Sequence, residues 1–555
     1  MKQKTNKTLR RLIALIFILS MMAPVLSIEP QAYDAAKLDL VRDSEPNLTG
    51  KGVKLLIVER SENYDSDSPL LDYQPDIEHP LLKNSNISIP LKEKYNLGNE
   101  SFHSTAICSI ITGKGSVTDE NGNQIAYNAP LTDSEIEVLE FNEFLLKHLI
   151  DISNTLETDI LCASFGTSVP DWWTRALQYI IERDDVLGIA SIGNGDEIFD
   201  SCLYPASGAN FIAVGIADRT MMPSGDNSWL DPTAKSSHGI TFEGIIKPDI
   251  VASGNYLVAD LQNDGIAESG NYSSYAAPAV ASIAGLLVQK AKEKQLKYAY
   301  SEKGSNCVIK SILMTAASKG VGWHKGQWSP DDDHQSPLDM HQGSGTVNAA
   351  EACELLDSEK LEQAVPASKG WDNSVIDGKS ENTYSVNVSP QDRYISATLV
   401  WNRKFQKEYP FEYLTGDNIN LRLELWAQSP EDPNNSLLID YSDSDNGNVE
   451  HLFCPVSSGN VKYEIVVVFS DNENISKIDT QQRYALSFTT SPIPEQWKGQ
   501  WLDFNADGSI DLNDVQGVLS SVSKQNKQTG ISIDTQAFNR IRILLDELSK
   551  RDLYK

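Results

Sequence analysis

Cysteine is scarce in this chain. Its 555 residues include six cysteines, and no two of them stand in a C-x-x-C spacing. The spacing excludes the common structural zinc sites, and the small number excludes a dense disulfide framework. We expect Cys108 and Cys162, which lie among apolar residues, to fill a core. The sequence leaves open whether any of the six are bridged: Cys108, Cys162, Cys202, Cys307, Cys353 and Cys454.

Basic residues are also few. The chain has 47 Lys and Arg against 77 Asp and Glu, a formal net charge of -30. Such a charge repels phosphate backbones and anionic lipid surfaces, so we expect no nucleic-acid partner and no membrane contact beyond the first segment. High solubility and cation binding fit this composition better.

Long hydrophobic runs are absent after the first segment, "MKQKTNKTLRRLIALIFILSMMAPVLS". A basic start followed by an uncharged apolar run of roughly fifteen residues is typical of a secretory signal rather than a membrane span. We therefore expect residues 1–32 to be a signal peptide, cleaved between Ser27 and Ala32, and the protein to be secreted or attached to the cell surface. Retention as an uncleaved anchor is the alternative.

The rest of the chain is long enough for several folded units. In residues 33–356, short apolar runs such as "VKLLIV", "TDILCASF", "VLGIASIG" and "NFIAVGI" alternate with stretches that we interpret as helical, "LTDSEIEVLEFNEFLLKHLIDISN" and "WWTRALQYIIERDD". This alternation predicts an α/β fold, a parallel sheet with helices on both faces, whose functional residues follow the strands. Residues 357–492 alternate with period two, which predicts an antiparallel β-sandwich. Residues 493–555 form a short third unit.

Four polar residues follow strand-like runs or open helix-like runs, in this order along the chain. They are Glu59 in "LLIVERS", His103 in "FHSTAICSIITG", Asn194 in "IASIGNGD" and Ser274 in "YSSYAAPAVASIAG". A serine hydroxyl becomes a nucleophile when an imidazole takes its proton, and a carboxylate holds that imidazole in place. A side-chain amide can then bind the oxyanion that forms. The four residues together indicate acyl transfer.

These blocks resemble the subtilisin-like serine proteases. Further stretches that resemble the family are "CASFG", "YPASGANFIAVG", "KPDIVASG", "IKSILMTAAS" and "GSGTVNAAEA", so the resemblance covers about 33–356. It implies that Ser274 is the nucleophile, His103 the general base and Asn194 the oxyanion donor. It also implies that substrate binds along Ala163, Ser164, Phe165, Gly166 and Gly193. Ser273 stands where the family has threonine, and we expect it to be a neighbour only.

The chain departs from the family's motifs at several positions. Glu59 stands where the family has aspartate, and Arg60 and Ser61 follow in place of threonine and glycine. Ala106 replaces a second histidine, and Tyr272 replaces a glycine, where a bulky ring could crowd the site or alter specificity. Because Ser-His-Glu triads exist on other folds, we expect Glu59 to be the triad acid.

Two alternatives to a working Glu59 stay open. The site could be an inactive remnant, or another acid could replace Glu59, the candidates being Asp65, Asp67 and Asp72. Arg60 could also draw Glu59 away from His103, although a continuing strand would point the two side chains to opposite faces.

The segment "DFNADGSIDLND" at 503–514 fits a twelve-residue calcium loop with its turn glycine at the sixth position. Its oxygen ligands would be Asp503, Asn505, Asp507, Ser509 through its carbonyl, Asp511 and Asp514. Because its last ligand is an aspartate, the loop resembles those of a dockerin, a module that docks enzymes onto cohesin-bearing scaffold proteins. A second repeat at 526–550 has lost most of its ligand residues. We expect one calcium ion and a possible cohesin partner, the alternative being a calcium-stabilised cap with no partner.

The sequence thus predicts a secreted subtilisin-like serine endopeptidase that acts on peptides or proteins, with a β-sandwich and a small helical dockerin-like module. One rival is a catalytically impaired subtilase fold that binds peptides without cutting them. A third reading gives the function to residues 357–555, which would attach to polysaccharide or scaffold.

Overall fold

The structure, a computed structural model, describes most of the first two units. It covers residues 36–492 apart from 62–70, 96–97, 119–123, 196–200, 218–235, 263, 321–322, 324, 326–333, 379, 415–418, 430–431, 457–460 and 471–480, together with residue 516. The predicted signal segment, the calcium loop and its second repeat lie outside these residues, as do Asp65 and Asp67. No helix within the covered part combines the length and apolar composition needed to cross a bilayer.

A seven-stranded parallel sheet forms the centre of the first unit, with strand order β13-β10-β9-β8-β1-β7-β3. This confirms the predicted sheet. Shorter strands pair outside it. The strands are β1 Lys54–Glu59, β2 Asp72–Gln74, β3 Asn86–Ser88, β4 Asn99–Glu100, β5 Lys114–Thr118, β6 Gln124–Asn128, β7 Glu135–Glu140, β8 Ile160–Ala163, β9 Leu187–Ser191, β10 Phe211–Ile216, β11 Gly239–Ile240, β12 Ile246–Lys247, β13 Ile250–Ala252, β14 Leu257–Asp260 and β15 Gly265–Glu268.

Helices cover both faces of this sheet. They are α1 Leu38–Ser44, α2 Pro90–Tyr95, α3 Phe102–Thr112, α4 Phe141–Phe144, α5 Trp172–Asp184, α6 Ser273–Glu293, α7 Ser305–Ala316 and α8 Ala349–Asp357, with a π-helix at Leu145–Ile150 and a 3-10 turn at Lys297–Ala299. Successive residues of β1 join different cores: Leu55 and Ile57 pack with α3 and α6, whereas Leu56 and Val58 pack with α5. A strand buried on both faces reads as a continuous apolar run, which is why "VKLLIV" shows no alternation.

The segment 131–154 corrects one prediction. We interpreted it as helical, but Glu135–Glu140 is β7, which pairs in parallel with β1 from Lys54 to Glu59. The stretch Glu-Ile-Glu-Val alternates with period two, and Ile136 and Val138 point into the core beside α3. Sheet pairing therefore outweighs the helix preference of the glutamates.

The second unit contains two four-stranded antiparallel sheets, ordered β16-β23-β18-β21 and β17-β22-β19-β20. The antiparallel prediction is confirmed, and the two sheets share one buried core. The strands are β16 Lys369–Asp377, β17 Asn382–Val386, β18 Tyr394–Val400, β19 Leu421–Ser429, β20 Asp432–Ser442, β21 Val449–Pro455, β22 Lys462–Phe469 and β23 Gln481–Ser491.

The outer face of the first of these sheets packs on the α/β unit. Trp371 of β16 belongs to the α/β core, is 1% exposed and donates from its indole nitrogen to the Leu356 carbonyl over 3.1 Å. Thr315 of α7 donates its hydroxyl to Thr398 of β18 over 2.7 Å. The two units therefore share a buried, hydrogen-bonded interface.

All six cysteines are buried free thiols. Burial, together with the negative charge of Glu59, raises the pKa of the Cys108 and Cys162 thiols. Both therefore stay protonated and act as small apolar side chains of the core.

Replacing Trp371 tests how far the interface stabilises the whole chain. We expect Trp371→Ala to lower the free energy of unfolding by about 3–5 kcal/mol, because it opens a cavity and leaves the Leu356 carbonyl without its donor. Urea denaturation followed by tryptophan fluorescence and circular dichroism measures this. Leu437→Ala, at a position that is 62% exposed, is the control and should change stability little. Equal stability of the two variants would contradict a shared core.

Candidate active site

A carboxylate and an imidazole meet where β1 ends and α3 begins. Glu59 is the last residue of β1, and His103 is the second residue of α3, whose start is capped by the Ser101 side chain. Glu59 Oε2 lies 2.9 Å from His103 Nδ1, and the Glu59 side chain is 2% exposed. A carboxylate at Nδ1 selects the tautomer with its proton on that nitrogen, which leaves Nε2 as the basic atom.

Two of the alternatives to Glu59, Arg60 as a competing partner and Asp72 as a replacement acid, involve residues that the structure describes. Arg60 acts on a different carboxylate, Glu140 at the end of β7. Burial raises the pKa of Glu140, and its hydrogen bonds and the charge of Arg60 oppose that rise. Asp72 accepts a hydrogen bond from the Asn99 side chain over 3.2 Å. Among the residues that the structure describes, Glu59 is the carboxylate that contacts His103, and the neighbouring Arg60 does not break this contact. Asp65 and Asp67 lie outside those residues.

Ser274 is the second residue of α6 and is tied to the end of β8. Its hydroxyl donates to the Ser164 carbonyl over 3.2 Å, and the Ser164 hydroxyl donates to the Ser274 carbonyl over 2.8 Å. The second bond has a simple cause. Pro278, four residues along the helix, has no N–H to give to the Ser274 carbonyl, so Ser164 supplies the missing donor. The Tyr275 ring lies 5.8 Å from the His103 ring, which places this helix start beside the imidazole.

Asn194 lies between Gly193 and Gly195, which both have positive φ, and its side chain is held by Ser273. Its Oδ1 accepts from both the Ser273 N–H and the Ser273 hydroxyl, each over 2.9 Å. A backbone N–H can only face the amide oxygen, so this contact fixes which way the amide points. Within the part of the chain described here, every hydrogen bond of the Asn194 side chain goes to Oδ1. Its Nδ2 donates to no group among these residues and is available as a donor.

Ser273 is more than the neighbour we expected from the sequence. Its hydroxyl accepts from the Gly193 N–H over 3.2 Å while it donates to Asn194, and the side chain is 1% exposed. It therefore joins the loop that carries Asn194 to the helix that carries Ser274. The only sequence signal for this role is a hydroxyl residue directly before the serine at the helix start.

The predicted substrate-binding residues line one edge of the site. Ala163 ends β8, and Ser164, Phe165 and Gly166 follow it. A Cβ at Gly166 would lie 2.5 Å from the Tyr204 carbonyl oxygen, so only glycine fits there.

Gly193 has the same requirement, at φ 113° with a Cβ position 2.5 Å from Ser237 Oγ. The Leu203 side chain lies between the two glycines, 2.8 Å from the Cβ position of Gly166 and 3.2 Å from that of Gly193. The sequence motifs gave no signal for Leu203.

Two departures from the motifs fit without strain. Tyr272 adopts φ -126° and ψ 145°, an extended conformation that needs no glycine, and its side chain is 45% exposed. Ala106 is fully buried within α3, where it packs in the core beside the sheet.

The chain shares a domain with a known protein family. The profile of the Peptidase_S8 subtilase family matches residues 67–345. The chain belongs to the subtilase family. The members of this family are serine-type peptidases.

The relatives and solved structures show how far the similarity extends. The chain is similar to the C5a peptidase of Streptococcus pyogenes, 32% identical over 170 residues that make up 30% of this chain and 13% of that protein. It thus spans a small part of the curated relatives it matches. Among solved structures it is similar to the prenylagaramide maturation protease PagA, with 18% identity over 58% of this chain and 99% of that chain at a TM-score of 0.40. The self-cleaved protease domain of PatA is similar at 20% identity, 56% and 98% coverage and a TM-score of 0.38.

Substituting Ser273 tests whether it positions Asn194. We expect Ser273→Ala to lower kcat by about three- to tenfold with little change in KM, because one of two hydrogen bonds to Asn194 Oδ1 is lost. Ser273→Thr keeps the hydroxyl and should retain most of the activity. Steady-state hydrolysis of a fluorogenic peptide measures both. Equal kcat for the alanine variant and the unmodified protein would show that Ser273 does not position Asn194.

Proposed function

We propose that this chain is a serine endopeptidase that cleaves peptide bonds through an acyl-enzyme on Ser274. The observation that carries the proposal is the 2.9 Å contact between Glu59 Oε2 and His103 Nδ1. A glutamate is one methylene longer than the family's aspartate, and here it still brings a carboxylate to the imidazole. The charge and the contact that the chemistry needs are both kept.

The first step is a proton transfer. The Ser274 hydroxyl turns from the Ser164 carbonyl toward His103, whose Nε2 takes the proton as the oxygen attacks the peptide carbonyl carbon. Glu59 steadies the imidazolium that results. His103 then gives the proton to the departing amine. In the second half of the reaction His103 takes a proton from water, which attacks the acyl carbon and releases the acid from Ser274.

The developing negative charge has two sources of stabilisation. Asn194 Nδ2 donates to the oxyanion, and Ser273 fixes the amide in the orientation that this needs. The start of α6, a helix of 21 residues, adds its dipole at the same point.

The acyl side of the substrate lies along Ala163 to Gly166. Peptides that bind as an added strand use backbone hydrogen bonds, and this segment follows directly from β8 of the central sheet. The Leu203 side chain fills the space between Gly166 and Gly193, and the side chain before the scissile bond would lie on this surface.

One observation favours the rival, a peptide-binding protein that does not cut. The Ser274 hydroxyl donates to the Ser164 carbonyl in this structure, so its proton is directed to that carbonyl and not to His103. The protease requires this hydroxyl to turn to His103 when a peptide is bound, whereas the rival does not.

Labelling with a fluorophosphonate probe tests the proposal directly. We expect the unmodified protein to be labelled and Ser274→Ala to be unlabelled, because the probe bonds to an activated serine oxygen. Glu59→Gln should label about 10² to 10⁴ times more slowly, since it loses the carboxylate that orients the imidazole.

Two further measurements complete this test. Glu362→Gln, a change at an exposed glutamate, is the matched control and should label at the normal rate. Casein hydrolysis by the same preparations supplies a second readout. An unlabelled wild-type protein that leaves casein whole would support the peptide-binding rival.

We further propose that residues 493–555 bind one calcium ion and dock to a cohesin-bearing scaffold, and that residues 1–32 direct export. The ligand spacing of 503–514 supports the first idea, and the basic and apolar pattern of the first segment supports the second. The mechanism above uses no residue of either segment.

Calcium titration tests the third unit apart from catalysis. Isothermal titration calorimetry of the full chain should give one site, and Asp507→Ala should abolish it, because a calcium ion needs the full set of oxygen ligands. Asp534→Ala in the degenerate repeat is the matched control. A second site would contradict the single calcium ion, and a site that survives Asp507→Ala would contradict the assignment to 503–514.

A further inference from the structure

The tyrosine at position 272 has a defined place beside the helix start. Its ring lies over Gly270, since a Cβ added there would be 2.7 Å from Tyr272 Cε2. Gly270 has φ 80°, so it supplies both the turn and the space for the ring. The backbone of Tyr272 packs closely against Gly254, because a Cβ at Gly254 would lie 2.9 Å from the Tyr272 nitrogen. The Tyr272 ring thus packs on Gly270 with one face, and the side chain is partly exposed to solvent.

Three rings lead from the imidazole to solvent. The His103 and Tyr275 ring centroids are 5.8 Å apart, and those of Tyr275 and Tyr272 are 6.3 Å apart. Tyr275 is 5% exposed, whereas Tyr272 is 45% exposed. Tyr272 is therefore the outer member of an aromatic row that begins at the general base.

The row identifies which half of a substrate Tyr272 would meet. The acyl half lies along Ala163 to Gly166, next to the Ser164 carbonyl. The amine that leaves receives its proton from the imidazole, so the leaving half lies on the His103 side. Resting on the proposed function, we propose that Tyr272 forms a subsite for an aromatic or large aliphatic side chain directly after the scissile bond.

The chemistry of the ring fits this assignment. Aromatic pairs with centroids 4.5–7 Å apart favour tilted or offset packing, and the row already has that geometry. A phenyl group stacked on the open face of Tyr272 would continue it. The gain expected for such a pair corresponds to about three- to tenfold in rate or affinity.

Acyl transfer to added amines tests this subsite separately from the acylation step. A peptide ester that has no amino acid on its leaving side acylates Ser274, and the acyl-enzyme then reacts with water or with an added amine. The amine nitrogen attacks the acyl carbon, the C–N bond forms, the bond to Ser274 Oγ breaks, and His103 moves the proton from the amine to that oxygen. Phenylalaninamide and glycinamide are the two amines compared.

The readout is the ratio of amide product to acid product for each amine. The ratio is internal to each preparation, so a variant with less active protein still reports its preference. We expect Tyr272→Ala to lower the ratio for phenylalaninamide about three- to tenfold and to leave that for glycinamide nearly unchanged. Tyr272→Phe should keep the preference. Tyr298→Ala, at a tyrosine that is 46% exposed beyond the far end of α6, is the matched control.

Two outcomes would overturn the inference while leaving the peptidase intact. One is an unchanged preference for phenylalaninamide in Tyr272→Ala. The other is a rise in the ratio for both amines, which would show that the ring crowds the leaving side. A protein that hydrolyses no ester would overturn the proposed function itself, and this inference with it.

Discussion

The contact between Glu59 and His103 depends on where a parallel sheet ends. β1 is flanked by β7 and β8, and all three strands finish at the same edge, so the last side chain of β1 emerges there. α3 begins at this edge with its own cap and brings the imidazole to the carboxylate. Burial of Glu59 keeps the contact away from competing water, which strengthens a charge-assisted hydrogen bond. The rest of the site is placed relative to this fixed ring.

The start of α6 is held by bonds that a standard helix would not offer. Pro278 removes the donor for the Ser274 carbonyl, and the Ser164 hydroxyl replaces it. Ser273 uses its backbone N–H and its hydroxyl to hold Asn194, so one helical turn both positions Ser274 and orients the Asn194 amide. A shift of this turn would disturb both together. The arrangement of Ser274 and Asn194 thus depends on hydrogen bonds between residues that are far apart in the sequence.

Sequence reasoning located the parallel sheet, the antiparallel unit and the positions of Glu59, His103, Asn194 and Ser274, because each sits in a local pattern. It missed what depends on distant partners. The segment 135–140 is a strand since β1 pairs with it, although its glutamates favour a helix when read alone. The bond between Ser273 and Asn194 joins residues 79 positions apart, and Leu203 lies between two glycines from separate loops. A local sequence pattern does not predict such contacts.

The departures from the family's motifs follow a physical rule. Gly166 and Gly193 are retained, and at both a Cβ would collide with atoms 2.5 Å away. Tyr272 has an extended backbone that accepts any residue, and it replaces a glycine. Glu59 differs in length, yet its buried carboxylate reaches the same partner. The departures thus lie where backbone and space permit them. If Ser274 is the nucleophile that we propose, Tyr272 alters which peptides fit beside it and leaves the contact between Glu59 and His103 unchanged.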